Sequence, residues 1–206
     1  MERTNVEISL DLRQNDIVAV TGRSGIGKSQ VLRTLAGLEK VDRPFLKVAG
    51  ESAKEMSMAE WRSRVALVPQ ERPTLEGTPN QFYKQARQYA SQKRKEIAVA
   101  SPSEYAEQWG LNAKAFDQPW STLSGGESQR ALLAIAIALQ PEVLLLDESL
   151  SALDETTAKQ VEFTLKELGV PIVMVSHSDA QVERFCNKRL SLDDATSSQS
   201  TLGVGT

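Results

Sequence analysis

The stretch GRSGIGKS, Gly22 to Ser29, decides the fold of this chain. It matches the pattern GxxxxGK[ST], and it lies between an apolar run that reads as a buried strand, IVAVT at 17–21, and a helical stretch that stops near Gly37. That strand, loop and helix context is what the pattern requires. Glycines at 22, 25 and 27 let the backbone fold tightly around phosphate oxygens, Lys28 can reach β and γ phosphates, and the Ser29 hydroxyl can ligate Mg²⁺. The competing reading is a flexible glycine turn that binds nothing, and the flanking strand and helix weigh against it.

A phosphate loop that hydrolyses its ligand also needs a carboxylate at the end of a neighbouring strand. VLLLDES at 143–149 supplies one: four apolar residues place Asp147 at the C-terminal edge of a strand, where ligands collect in open α/β sheets. Glu148 follows at once, and an extended backbone would point it away from Asp147. One acid could then serve the metal and the other the attacking water. The plainer alternative makes the two acids solvated strand-end groups.

A second anion-ready turn stands at TLSGGESQRALLAIAIAL, 122–139. Ser124, Gly125 and Gly126 leave backbone N–H groups open at the start of an apolar helix. One chain therefore carries two places for phosphate, and the better one is already at 22–29.

Around these motifs the pattern is α/β. VEISLDL at 6–12 alternates apolar with polar residues, a turn follows at Gln14 to Asp16, and a hairpin or paired strands should open the fold. FLKVAG at 45–50 reads as a short strand, MAEWRSR at 58–64 as a short helix and VALVP at 65–69 as a strand. From Pro73 to about Trp120 the character turns polar and helical, which predicts a mostly helical insert outside the main sheet. VLLLD, a helix over ETTAKQVEFTLKELG at 155–169 and the strand PIVMVS at 171–176 complete an alternation that indicates a parallel sheet with helices on both faces. The expected organisation is one domain over 1–206, with an N-terminal antiparallel β part, a helical lobe at about 73–120 and a flexible tail at about 194–206.

With 24 basic and 27 acidic residues, a net charge of −3 and scattered cations, the chain is not built for nucleic acid as its main partner. The short run Lys93, Arg94, Lys95 reads as a solvated helix face. The single cysteine, Cys186, excludes an internal disulfide and reads as a small buried hydrophobe. MERTNVEISLDL is not a basic-then-apolar leader, and apolar runs such as ALLAIAIAL are too short to span a bilayer, so work at a membrane would rely on another chain for the span. No internal repeat is found, which excludes two fused ATPase halves.

Taken together, the motifs make the chain resemble the nucleotide-binding subunits of ABC (ATP-binding cassette) systems from Val6 to about Leu192. The resemblance rests on GRSGIGKS, Gln70 in VPQ, LSGGESQR, VLLLDE, SALD at 151–154 and His177 in VSHS, which appear in the family's order. It implies ATP and Mg²⁺ as ligands, with Gly22, Arg23, Ser24, Gly25, Ile26, Gly27, Lys28, Ser29 and Gln30 around the nucleotide. Ser29, Gln70 and Asp147 would serve the metal. Glu148 resembles the catalytic base, and His177 the switch histidine that contacts the γ-phosphate and steadies Glu148. The resemblance also answers why there are two phosphate turns. In the family two cassettes pair head to tail, so Ser124, Gly125, Gly126 and Glu127 would face ATP held by the partner, and Ser151 and Asp154 would cross the seam. The partner is a second copy or a related ABC ATPase.

Two departures stand out. The family's adenine-stacking aromatic upstream of the loop is missing, since residues 1–21 contain no Phe, Tyr or Trp, and the acidic strand ends DES rather than the commoner DEP. The reading this supports is an ATP-hydrolysing subunit on the cytoplasmic face of a membrane, docked to a separate permease through a groove near Gln70 in which Leu75, Phe82 and Tyr83 are candidate contacts. LEGTPNQF and the short chain look like the small subunits of iron-export and aluminium-tolerance systems. The alternative is a soluble or regulatory ABC ATPase of the iron-sulfur assembly or cell-wall regulation type.

Overall fold

The computed structural model describes residues 10–39, 46–71, 75–89 and 100–193. Its frame is a five-stranded parallel sheet in the order β4-β5-β6-β1-β7, formed by β1 (Ile17–Thr21), β4 (Val65–Val68), β5 (Val143–Asp147), β6 (Ile172–Val175) and β7 (Lys188–Ser191). The three inner strands IVAVT, VLLLD and IVMV are buried almost throughout, as expected of strands covered on both faces. Alternate residues serve opposite faces. Leu144 and Leu146 join Ile17, Ile172 and Met174 in one core cluster, while Leu145 joins Val18, Val20, Val173 and Val175 in the other.

Four helices cover these faces. α1 (Lys28–Leu35) and α2 (Met58–Arg64) bring Leu32 and Trp61 to the second cluster, and the Trp61 indole N–H donates to Leu35 O at 2.8 Å. On the first face lie α5 (Gly125–Ala138) and α6 (Glu155–Leu168), with Leu133, Ile135, Val161 and Leu165 inside. The α5 sequence, apolar nearly all round, is that of a helix enclosed between the sheet and further helices.

Among the described residues between β4 and α5 lie α3 (Pro79–Gln88), α4 (Pro102–Gln108) and two 3₁₀ turns at Ala113–Asp117 and Trp120–Thr122. Both helices start on capping boxes, Thr78 with Gln81 and Ser101 with Glu104, each with proline at the first turn where a missing N–H costs nothing. Trp109, Phe116 and Trp120 of this segment belong to the same cluster as the sheet residues, so its helices share a core with the sheet. Trp109 also donates its indole N–H to Thr164 Oγ1 of α6 at 3.0 Å.

Some expectations change. The opening strand VEISLDL falls mostly outside the described residues; Leu10, Asp11 and Leu12 carry no strand, and Leu10 and Leu12 pack half-buried on the second cluster. Nor does β1 form a hairpin, because both its edges are taken by the parallel partners β6 and β7. The antiparallel pairing among the described residues is instead β2 (Lys47–Val48) with β3 (Glu51–Ser52), which shortens the expected FLKVAG strand at a left-handed Ala49–Gly50 turn. The basic run 93–95 and the tail 194–206 lie outside the described residues. α7 (Asp179–Phe185) and β7 had no counterpart in the sequence reading, since a seven-residue helix and the edge strand KRLS give little periodicity.

Candidate functional site

Four adjacent strands of the sheet each hand their C-terminal end to a polar residue of the site. β1 runs into the 22–29 loop, β4 into Gln70, β5 into Asp147 and Glu148, and β6 into the Ser176–Ser178 turn that carries His177. A parallel sheet makes this convergence automatic, because all its C-terminal ends lie on one edge.

In the loop, Gly22 and Gly27 take φ of +143° and +108°, values that an L side chain resists. Gly27 is the N-cap of α1, which has neither a side-chain cap nor an acid in its first turn, so its first N–H groups stay free for an anion. Lys28 is buried and curls back over the loop, its Nζ donating to Gly22 O at 2.9 Å and Arg23 O at 3.1 Å. The Ser29 hydroxyl donates to Asp147 Oδ1 at 2.8 Å. A hydroxyl and a carboxylate so close fit a hard divalent cation that completes its shell with phosphate oxygens and water. Among the described residues no group of three or more His, Cys, Asp or Glu could hold an ion alone, so a metal here would share phosphate ligands.

Beside this pair stands a second constellation. Glu148 Oε2 accepts from Gln70 Nε2 at 2.9 Å, and Oε1 lies 2.8 Å from His177 Nε2. The expected extended backbone at Glu148 is overturned: its φ is +48°, in the left-handed region. The chain turns there because Glu148 N donates to Val175 O at 3.0 Å, while its own carbonyl accepts from Ser151 N at 3.0 Å and Ser151 Oγ at 2.7 Å. Holding a non-glycine residue left-handed costs about 1–2 kcal/mol. The turn still separates Glu148 from Asp147, by a bend of the backbone rather than by strand alternation.

The other turn is separate from this edge. Ser124 is the N-cap of α5: its Oγ accepts from Glu127 N at 3.3 Å, and Glu127 Oε2 accepts from Ser124 N at 2.8 Å. Hydrogen bonds from the Ser124 hydroxyl and amide hold the Glu127 carboxyl below its usual value. Glu127 is thus committed to its own helix cap, while the N–H groups of Gly125 and Gly126 remain open. Among the described residues no hydrogen bond or ion pair joins Ser124–Glu127 to residues 22–30. Asp154 likewise caps its own helix, α6, accepting from Thr157 N at 3.0 Å and Thr157 Oγ1 at 2.7 Å.

Residues that sequence reasoning passed over support the site. Gln129, buried in α5, donates to Pro69 O at 3.3 Å, next to Gln70; a lone amide inside an apolar helix was the available signal. Asp193 Oδ1 accepts from Arg23 Nε at 3.1 Å and from its backbone N–H at 3.4 Å, an anchor that spans 170 positions of sequence. Of the candidate docking residues, Phe82 stacks edge-on against Trp120 with centroids 6.3 Å apart, Tyr83 packs on the core, and Leu75 is exposed. Cys186 behaves as the expected hydrophobe, half-buried with its thiol pushed up to about 11 by burial.

The ABC transporter family model matches residues 6–151. The methionine import ATP-binding protein MetN of Clostridium tetani is 32% identical over 201 residues, which cover 90% of this chain but 60% of that protein. The nickel import ATP-binding protein NikE of Shigella boydii is 31% identical over 197 residues, covering 91% of this chain and 74% of the relative. Among solved structures, a dimeric ATP-binding cassette in a post-hydrolysis state bound to ADP and Pi superposes with a TM-score of 0.72, covering 88% of this chain and 83% of its own at 23% identity, a likeness of fold. An ATP-binding subunit of an ABC transporter does so with a TM-score of 0.75 at 19% identity, covering 90% and 78%. The chain belongs to the ABC transporter family, as its ATP-binding cassette component.

Proposed function

We propose that the chain binds and hydrolyses ATP as a subunit of an ABC transporter, pairing head to tail with a second cassette so that each ATP lies between the loop at 22–29 of one chain and the turn at 124–126 of the other. One observation carries this reading: Ser29 with Asp147, and Gln70 with Glu148 and His177, meet at one sheet edge, while the second phosphate turn has no bond to that edge.

Each residue has a task. Gly22 to Gln30 wrap the phosphates, and Lys28 exchanges its two loop carbonyls for phosphate oxygens. Ser29 and Asp147 would hold Mg²⁺, which would supply positive charge to offset that of the phosphates. Glu148 accepts the proton of the attacking water, oriented by Gln70 and His177, which already grip its two oxygens. Ser124, Gly125 and Gly126 of the partner close over the γ-phosphate as charge spreads in the transition state. Ser151, tied to the Glu148 carbonyl, and Asp154 lie on the loop that meets the seam.

The membrane partner is a separate permease, and the site of work is the cytoplasmic face of a membrane. Among the described residues no helix is long and apolar enough to cross a bilayer, and both import relatives are named ATP-binding proteins. Leu75, exposed and five positions after Gln70 in sequence, is the candidate contact with the permease.

The test is ATP turnover of the purified chain against protein concentration, with Glu148→Gln beside it. A rate per chain that rises with concentration and vanishes in Glu148→Gln is expected. A concentration-independent rate would exclude the shared site, and hydrolysis by Glu148→Gln at the parent's rate would exclude Glu148 as the base.

A further inference from the structure

His177 is not held by packing, for its side chain is 62% exposed. Its aim at Glu148 must come from the turn that carries it, and that turn is tied down by one connected set of hydrogen bonds. Ser176 Oγ accepts from Ser178 N at 3.1 Å, bracketing His177, and donates to Gln181 Oε1 at 2.7 Å. Gln181 Nε2 then donates to Glu162 Oε1 at 2.9 Å, inside the protein. Glu162 is in turn gripped by Arg184 through two bonds, Nε to Oε2 at 2.7 Å and Nη2 to Oε1 at 2.8 Å. Ser178 Oγ accepts from Gln181 N at 3.2 Å, which closes the turn onto α7.

The chemistry of this chain of bonds runs one way. The Ser176 hydroxyl spends its proton on Gln181, so Gln181 must present its carbonyl there and its NH₂ to Glu162. A side-chain amide of this length offers an acceptor on one side and a donor on the other. The buried Glu162 carboxylate fixes which side is which, and Arg184 makes that charge tolerable. An ion pair with a buried carboxylate and a partly exposed guanidinium adds little net stability, because desolvation of the acid offsets attraction. What it supplies here is orientation, passed from α6 through α7 to the turn after β6.

We propose that Gln181 is a positioning residue for ATP hydrolysis: held by the Glu162–Arg184 pair, it fixes Ser176 and thereby aims His177 at Glu148. The proposal rests on the reading of Glu148 and His177 given above.

Gln181→Met keeps the volume and the helix but removes both bonds. A misplacement of about 1 Å at a reacting group can cost about 100-fold in rate, so kcat should fall between about 10- and 100-fold while KM for ATP stays within about twofold. Gln181→Glu should lose at least as much, since it sets a carboxylate against Glu162. Ser176→Ala cuts the same link on the exposed side and leaves the buried pair intact, so it should reproduce the kcat loss even where the first variant folds poorly. A second readout is specific to this chain, because His177 is its only histidine and gives a single imidazole Hε1 resonance by NMR. That resonance should move in Gln181→Met and Ser176→Ala but not in Arg64→Met, which breaks an ion pair with Glu142 far from the turn. A kcat within twofold of the parent in both link variants, or an unmoved His177 resonance, would overturn the proposal alone. Equal turnover by the parent and Glu148→Gln would overturn the reading of the site, and the proposal with it.

Discussion

The chain has two turns that offer backbone N–H groups to phosphate, and they are built in opposite ways. The loop at 22–29 leads into α1 with no side-chain cap and no acid in the first turn, and its lysine is parked on its own carbonyls. The turn at 124–126 leads into α5 with a full capping box and Glu127 in the first turn. A helix N-terminus meant to receive phosphate from within its own chain stays open, at a cost in local stability that the ligand offsets. On the proposed pairing, the second helix must stand by itself until the partner arrives, and its cap lets it do so while Gly125 and Gly126 keep their N–H groups unbonded.

The largest effect that tests this contrast falls on the first turn's edge. Glu148→Gln should lower turnover by about 100- to 10,000-fold while ATP still binds, which gel filtration would show as a nucleotide-dependent dimer. Mixing two inactive chains comes next. Lys28→Ala lacks the receiving loop and Ser124→Arg the covering turn, so a mixed dimer keeps one intact shared site. With free exchange about half of the dimers are mixed, and turnover should return to about a quarter of the parent's. No recovery would break the division of labour between the turns.

Gly125→Ala sharpens the comparison further. A Cβ there meets nothing within 4 Å in the folded chain, and its φ is not positive. Stability measured by thermal unfolding should therefore hold or rise, since alanine in a helix is better than glycine by roughly 0.5–1 kcal/mol. Turnover should fall about tenfold because the methyl group meets the partner's phosphate. Gly126→Ala is the harsher neighbour, for its Cβ would lie 3.3 Å from Ala152 O and disturb the chain itself. Ser124→Ala removes the cap and should cost about 1 kcal/mol, a fall of about 2–4 °C in Tm for a chain of this size.

The smallest effect concerns Glu127. Its pKa is lowered in the fold by the Ser124 hydroxyl and amide, so the stability it contributes is complete above the ordinary glutamate value of 4.5 and is lost as pH falls through the lowered one. Glu127→Gln keeps the box but cannot titrate. Its urea midpoint should lie slightly below the parent's near neutrality, and the two should converge on acidification below that value.

Much of the site was legible before folding was considered. The loop, the acidic strand end and the histidine after VMVS are local patterns, and a strand covered on both faces announces itself as an unbroken apolar run. The edge strand KRLS and the seven-residue α7 carried no such signal. Glu148 was legible as an acid, but its left-handed backbone was not, because that conformation is set by Val175 and Ser151 closing on it. The link from Gln181 to Glu162 was silent for the same reason: an amide and an acid 19 positions apart mean nothing until α6 and α7 are side by side.

The sequence by itself determined the residue types and their order: a phosphate loop, a carboxylate pair after an apolar strand, a capped glycine turn and a lone histidine, each written within a few neighbouring positions. Only the tertiary structure decided which of them act together. Ser29 meets Asp147 across 118 positions, Gln70 meets Glu148 across 78, and the glycine turn meets neither. Short-range patterns follow from backbone geometry and solvation, which the local sequence controls. Side-chain meetings at hydrogen-bond distance depend on strand order and helix packing, and those are settled by burial of the whole core at once.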